Sequence, residues 1–320
     1  MSDPKNQHII PQCYLKQFVD PKTPTGYEPY VWIFEREAKK GKKKAPKNIL
    51  AETDFYTLKG DYVIEKTLAQ IESDYAVIFE KKIKKRIPLE PYEHLVFCAF
   101  VAAMLQRTLK QKENIENFMD QVIGHAKQME MAHGVPPKTS IEWEKEKEDA
   151  HKLSVMQMIP EITKILYKMN LAFLCANSRA SFITSDSPAF LFNSQLQFQR
   201  FYGPGLGQRH VEVRMPLSPE ISVDFSWINN LRGYIGISED MVHDHNRMVY
   251  GYSHQYFIAN SEKLKRRWFR RLPLDPVFLW RYLKNEIRIR ASKFRNRKYY
   301  VRNKKSELRG GKPPRFTGIT

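Results

Sequence analysis

The stretch LVFCAFVAAML, from Leu95 to Leu105, is the longest apolar run in the chain. It lies within a longer segment that predicts helix from about Tyr92 toward Gly134, almost wholly apolar as far as Leu105 and polar beyond it. A helix that is apolar on every side is a buried helix, so we expect this one at the centre of the fold. Its eleven residues fall short of the roughly twenty that a membrane-spanning helix needs, which excludes a transmembrane protein.

Helix is also predicted on both sides of this run. Before it, apolar residues recur in steps of four and three from about Asp61, which places one apolar stripe toward a core, at Ile64, Leu68, Ile71, Tyr75 and Ile78. After the Pro136-Pro137 break, the charged stretch Glu142 to Asp149 leads into a further helix that ends near Asn170. The region 61–170 is therefore predicted to be helical.

From Leu171 the pattern changes to short apolar segments separated by turn residues, which indicates strands. The predicted strands are Tyr30 to Phe34, LAFLCAN, SFITSD, AFLFN, His210 to Met215, Ile221 to Ile228 and Gln255 to Ala259. Ser238 to Tyr252 returns to helix, with Ser238 as its N-terminal cap. The predicted fold class is α+β: a helical middle packed with a mixed or antiparallel β-rich second half, followed by a basic helical C-terminal segment.

The charge of the chain is concentrated at one end. The sequence has 53 Lys and Arg against 35 Asp and Glu, a net charge of +18. Residues Lys263 to Thr320 hold 20 of those basic residues and three acids, while residues 1–262 hold 33 and 32. We therefore predict a neutral body over 1–262, helical over 61–170 and β-rich over 171–262, and a strongly basic extension over 263–320 that ends in a flexible tail.

A polycation of this kind favours a nucleic-acid partner, and we expect DNA. Val277 to Ile289 predicts an amphipathic helix. The basic positions expected to contact phosphates are Arg281, Lys284, Arg288, Arg295, Arg297 and Lys298.

The N-terminus MSDPKNQH has no apolar signal core, and the three cysteines form no disulfide framework. Both features are typical of a cytoplasmic protein without a membrane partner. The motifs GxxxxGK[ST], CxxC, HExxH and GxSxG are absent, so no metal, cofactor or small-molecule cofactor partner is predicted.

Two polar blocks suggest chemistry. His8 opens the block HIIPQCYLKQF, where it is a general base, a metal ligand or a structural histidine. Asp186 follows an apolar strand in SFITSDSP, which either presents a carboxylate at a sheet edge or forms an Asx-turn with its own backbone.

These blocks belong to an ordered set that resembles a known family. The set comprises H-x-x-P-Q-x-Y-L-x-x-F at His8 to Phe18, Phe55-Tyr56, Glu65 and Glu72 in IEKTLAQIE, Gln106-Arg107-Thr108, FITSDSP, and Pro216 to Pro219. It resembles the domain of unknown function 4238 family over most of residues 8 to 260. The resemblance implies a bacterial or phage-borne protein, with members in anti-phage defence loci, and implies no catalytic residues.

Three functions remain open at this point. The favoured hypothesis is a metal-independent DNA glycosylase, with Asp186, His8, Arg107 and Glu65 as catalytic residues and Tyr14, Phe18 and Tyr56 as a pocket for an extruded base. A metal-dependent nuclease would use Glu65, Glu72 and Asp186, although the two glutamates are about 10 Å apart along a helix. The third is a non-catalytic nucleic-acid-binding sensor or inhibitor. A salt bridge to Lys66 or Arg107 would also account for the two glutamates.

Overall fold

Helices fill the middle of the chain and strands its second half, which confirms the predicted α+β class. The structure is a computed structural model, and it describes residues 6–36, 40–58, 61–133, 138–177, 180–193, 204–228 and 231–269. The helices are α1 (Gln12–Leu15), α2 (Val63–Ile78), α3 (Pro91–Gln106), α4 (Leu109–His133), α5 (Ser140–Lys168) and α6 (Glu239–Tyr252). Among the described helices, none has the length and apolar character of a membrane span.

The apolar run lies in α3, at the centre of the core as predicted. Eight of its side chains are buried, from Phe97 to Gln106. The Phe100 ring stacks on Tyr75 of α2 with ring centroids 3.5 Å apart, and Phe97 packs against Phe173 and Phe225 of the second half. This helix therefore joins the helical layer to the sheet.

One predicted helix is two helices in the structure. Instead of a continuous helix from Tyr92 toward Gly134, α3 ends at Gln106, and α4 begins at Leu109. Arg107 leaves the helical conformation, with φ −88° and ψ 5°, and the Thr108 hydroxyl accepts a hydrogen bond from the Gln111 backbone N–H. The break turns the Arg107 side chain inward, where it is 1% exposed.

Over the described ranges, the strands form three sheets. They are β1 (Asn6–His8), β2 (Val31–Glu35), β3 (Lys42–Lys44), β4 (Ala51–Thr53), β5 (Asn170–Ala176), β6 (Thr184–Ser185), β7 (Phe190–Phe192), β8 (Glu212–Pro216), β9 (Ile221–Ser226), β10 (Gly233–Ile237) and β11 (Tyr256–Ala259). The five-stranded sheet has the order β10-β5-β9-β8-β7 and is mixed, because β10 runs parallel to β5 and the other pairs are antiparallel. The antiparallel four-stranded sheet has the order β3-β2-β11-β6, and β1 pairs with β4.

Local sequence signals placed most of these elements. Ser238 caps α6 as predicted, since its side chain accepts a hydrogen bond from the Met241 N–H. The strand β10 was not predicted, because only its last residue is buried and its apolar pattern is weak. The basic residues Lys42 to Lys44 have no apolar pattern, and they form a strand through their pairing with β2.

The C-terminal predictions fall outside the described residues. The chain divides into two units, Met1–Phe269 and Arg270–Thr320, and the second lies outside the described residues. The second unit contains the predicted helix over 277–289 and the six basic positions expected to contact DNA, so both stay predictions. The boundary after residue 262 stays a prediction as well.

We expect Tyr14→Phe to lower the free energy of unfolding by about 1–3 kcal/mol. The buried hydroxyl donates to the Pro216 carbonyl at 2.6 Å and accepts from the Thr184 hydroxyl at 2.6 Å, so it links α1 to both larger sheets. Urea denaturation measures the change. Tyr92→Phe is the control, because Tyr92 is 70% exposed. Equal stability of the two variants would contradict a structural role for the Tyr14 hydroxyl.

Candidate functional site

A fully buried arginine lies where three parts of the chain meet. Arg107 donates from Nη1 to Glu72 at 2.5 Å, from Nη2 to the His8 carbonyl, and from Nε to the Tyr56 hydroxyl at 3.3 Å. The Tyr56 hydroxyl in turn donates to the Arg107 carbonyl at 3.1 Å. A buried charge is tolerated only when its donors are matched in this way.

Each partner is positioned by its own secondary structure. His8 is the last residue of β1, which pairs with β4 through His8 and Ala51. Glu65 and Glu72 lie seven residues apart on α2, and both interact electrostatically with Arg107. Glu72 forms an ion pair with the Arg107 guanidinium, whereas Glu65 is influenced by its charge at longer range.

Glu72 is the glutamate that neutralises Arg107. Burial alone would lower the pKa of Arg107, but Tyr56 and Glu72 outweigh it and hold that pKa above its usual value. The predicted salt bridge between a helix α2 glutamate and Arg107 is confirmed for Glu72. Its carboxylate is therefore committed to charge balance.

Glu65 differs from Glu72 in its hydrogen bonding. Its Oε2 is buried and has no hydrogen-bond partner in the described part of the chain. Burial raises the pKa of Glu65 above its usual value; Arg107 opposes the shift, and Glu72 adds to it. Glu65 therefore combines a half-buried carboxyl group, an oxygen without a hydrogen-bond partner in the described residues, and a raised pKa.

His8 is held as a neutral imidazole with one defined proton. Its Nε2 donates to the Lys47 carbonyl at 3.2 Å, because a carbonyl oxygen only accepts. Burial lowers the pKa of His8, and the Lys47 hydrogen bond and the charge of Glu72 only partly offset this. The neutral ring then leaves Nδ1 as an acceptor.

Three further residues at the site were not singled out by the sequence. Gln7 is fully buried and accepts from the Tyr56 N–H at 2.5 Å, which fixes the tyrosine. Burial raises the pKa of the Cys13 thiol to about 12, so Cys13 is not a nucleophile. Burial lowers the pKa of His151, which packs on Phe55, to about 4. Local patterning gave no signal for their roles, because the contacts of these residues with Tyr56, Glu72 and Phe55 arise from tertiary packing.

Asp186 lies in a different environment, and its predicted catalytic role is corrected. Its Oδ1 accepts from the His254 N–H at 2.8 Å, and its Oδ2 accepts from the N–H groups of Gln255 at 2.6 Å and Tyr256 at 2.8 Å. The side chain is 2% exposed. Asp186 is therefore not accessible to a substrate. Its carboxylate binds the backbone of residues 254–256 rather than that of its own turn, and so fixes the start of β11 beside β6.

The predicted base pocket is also corrected. Tyr14, Phe18 and Tyr56 are completely buried and belong to the main hydrophobic core. The Tyr14 and Phe18 rings pack with their centroids 5.4 Å apart. An extruded base needs rings that face an opening, whereas these rings are enclosed by other side chains.

The three acids of the nuclease hypothesis are not assembled into one site. Glu72 pairs with Arg107, and Asp186 binds the backbone of residues 254–256. Within the described ranges, no three His, Cys, Asp or Glu side chains are arranged to hold a metal ion.

We expect Asp186→Asn to lower the free energy of unfolding by about 2–4 kcal/mol, because it replaces a charged acceptor of three N–H groups with an amide. Thermal or urea unfolding measures the loss. Asp244→Asn is the matched control on α6, where Asp244 forms an exposed ion pair with Arg247. If Asp186→Asn is as stable as the control, the assignment of Asp186 to the β11 clamp is wrong.

Comparison with known proteins now identifies the family. Residues 6–263 match the family described as Protein of unknown function (DUF4238), and the chain belongs to that family, as its resemblance predicted. No curated protein and no solved structure matches the chain.

Proposed function

We propose that this member of the DUF4238 family is a hydrolase that excises bases from DNA, without a metal ion, as part of defence against phage. The observation that carries the proposal is the carboxyl group of Glu65, which has a free buried oxygen and a raised pKa beside the enclosed charge of Arg107. We assign to Glu65 the role of catalytic carboxylate that the sequence also suggested for Asp186.

Base excision requires a carboxylate and no redox or metal chemistry. Water attacks C1′ of the deoxyribose while the C–N bond breaks, and the bonding electron pair leaves with the base. The ionised Glu65 accepts the proton from that water and stabilises the positive charge that develops on the sugar. The departing base is protonated from solvent, which leaves a free base and an abasic site.

The other groups position this carboxylate. Arg107 is held by Glu72, Tyr56 and His8, so it presents a fixed positive charge that favours the ionised form of Glu65. The Nδ1 of neutral His8 is an acceptor that can orient the attacking water. We therefore assign Glu65 as the catalytic base, His8 as a water-orienting residue and Arg107 as a positioning residue.

The basic C-terminal region would supply affinity for DNA. Twenty of the 53 basic residues lie in Lys263 to Thr320, and neutralising phosphates releases counterions from the nucleic acid. The link to phage rests on the family resemblance and is tested by plating phage on cells that express the protein.

A metal-dependent nuclease and a non-catalytic sensor or inhibitor are the alternatives. The nuclease is less favoured because two of its three acids, Glu72 and Asp186, serve separate structural partners. A sensor or inhibitor would not depend on a free carboxyl group at the site, so the effect of Glu65→Gln distinguishes it from an enzyme.

We expect Glu65→Gln to reduce base excision by about 10²–10⁴-fold, since the amide cannot accept the proton from water. Phage DNA with modified or unmodified bases is incubated with the full chain in EDTA, and alkali-labile abasic sites are counted. Asp74→Asn is the control, because it removes the same charge from the same helix at an exposed hydrogen bond. Strand breaks that need Mg²⁺ would support the nuclease, and phage restriction that persists in Glu65→Gln would support the sensor.

We expect excision to increase with pH along a rising limb and then to level off. Glu65 acts when deprotonated, and burial raises its pKa above its usual 4.5, so the limb lies above pH 4.5. His8 adds no limb above pH 6.5, because burial lowers its pKa below that value. Rates are measured from pH 4 to 8. If the residual activity of Glu65→Gln increases over the same pH range as that of the wild type, the titrating group is not Glu65.

A further inference from the structure

A basic groove lies along the edge of the four-stranded sheet, beside β3. Its volume is about 250 Å³, and its lining combines the lysines Lys40, Lys42 and Lys44 with an apolar floor that includes Ile33, Ile49 and Tyr256. The groove is thus close in size to small-molecule sites, which start at about 300 Å³. No part of the proposed chemistry above uses it.

Two of the three lysines have charges available for a ligand. Lys42 forms an ion pair with Glu35 at 2.7 Å, whereas Lys40 and Lys44 form no ion pair within the described residues. Lys42 and Lys44 point to the same side because they alternate along β3, which is paired to β2. A strand therefore holds these cations at a fixed spacing.

Aromatic rings accompany the cations on both faces of this edge. On one face, the Lys43 ammonium lies 4.8 Å from the Tyr30 ring centroid and 5.1 Å from that of Trp32. On the other, Tyr256 lines both the groove and a neighbouring cavity of about 680 Å³ that contains Arg36 and Tyr250. The Asp186 clamp fixes the backbone of Tyr256. Cations that alternate with aromatic rings are the arrangement that binds unpaired nucleic-acid strands.

The groove adjoins the candidate catalytic site through one short segment. Ile49 and Leu50 line the groove, and the Leu50 carbonyl accepts from the Ile9 N–H at 2.7 Å. The Lys47 carbonyl in the same segment accepts from His8. A strand that lay in the groove would therefore contact the segment that holds the His8 ring.

We infer that this groove binds the phosphate backbone of a single-stranded nucleic acid, with Lys40 and Lys44 on phosphates and Tyr256 stacked on a base. Its placement next to His8 would hold the strand that carries the target base, and this part of the inference rests on the proposed function. A duplex fits less well, because its bases stack on one another and leave no face for Tyr256.

The lysines are tested by salt dependence. We expect the Lys40→Ala/Lys44→Ala full-length chain to bind labelled oligothymidine with a log K versus log[salt] slope that is shallower by about 1.4, or about 0.7 for each of two lost phosphate contacts. Fluorescence anisotropy in EDTA measures the slope. Lys145→Ala/Lys168→Ala removes the same charge from exposed positions on α5 and should leave the slope unchanged. Equal slopes for the two double variants would overturn the inference.

The tyrosine is tested by stacking. We expect Tyr256→Ala to weaken binding of oligothymidine at least about fivefold, and Tyr256→Phe to retain it, because the ring rather than the hydroxyl stacks. Circular dichroism melts confirm that both variants are folded. Equal affinities for Ala and Phe would refute the stacking contact. If Tyr256→Ala loses binding to anionic lipid vesicles but still binds oligothymidine normally, the groove is a membrane site and the inference is overturned.

The experiments distinguish failure of the groove inference from failure of the proposed function. If no abasic sites form but the Lys40→Ala/Lys44→Ala slope is shallower, the groove stands and base excision is wrong. If abasic sites form and the slope is unchanged, base excision stands and the groove is wrong.

Discussion

The burial of one guanidinium organises the candidate site. Arg107 is 1% exposed, and an enclosed cation whose donors are not matched costs several kcal/mol. Its donors are matched by Glu72 on α2, the His8 carbonyl at the end of β1 and the hydroxyl of Tyr56. The loss of any one partner would leave a buried charge or donor uncompensated. The N-terminal strand, α2 and the α3–α4 junction are therefore held together by the same constraint.

This constraint gives the two glutamates of α2 different roles. One buried cation needs one carboxylate for charge balance, and Glu72 supplies it at 2.5 Å. Glu65 feels the same cation but keeps a buried oxygen without a hydrogen-bond partner in the described part of the chain. Because the charge of Arg107 only partly offsets the effect of burial, the pKa of Glu65 is raised. A carboxyl group whose environment raises its pKa beside a fixed cation is a common basis of acid–base chemistry in proteins.

The sequence predicted what depends on local patterning and missed what depends on distant partners. The apolar run of α3, the stripe of α2 and the Ser238 cap are local, and the structure confirms them. The spacing of Glu65 and Glu72 was local as well. The clamp at Asp186 depends on N–H groups about seventy residues further along the chain, which no local pattern reveals. For the same reason, the rings predicted to form a base pocket are core residues.

The net charge of the body gives little information about its binding surfaces. Residues 1–262 hold 33 basic and 32 acidic residues, and the basic positions predicted to contact DNA all lie in the C-terminal region. A body that is neutral on average can still have a local excess of positive charge. Lys40 and Lys44 line the groove together with one acid, Glu35, and that acid is paired with Lys42. Long-range attraction depends on total charge, but placing one strand against a carboxylate depends on a few fixed cations. A neutral body can therefore position the nucleic acid that a basic extension attracts.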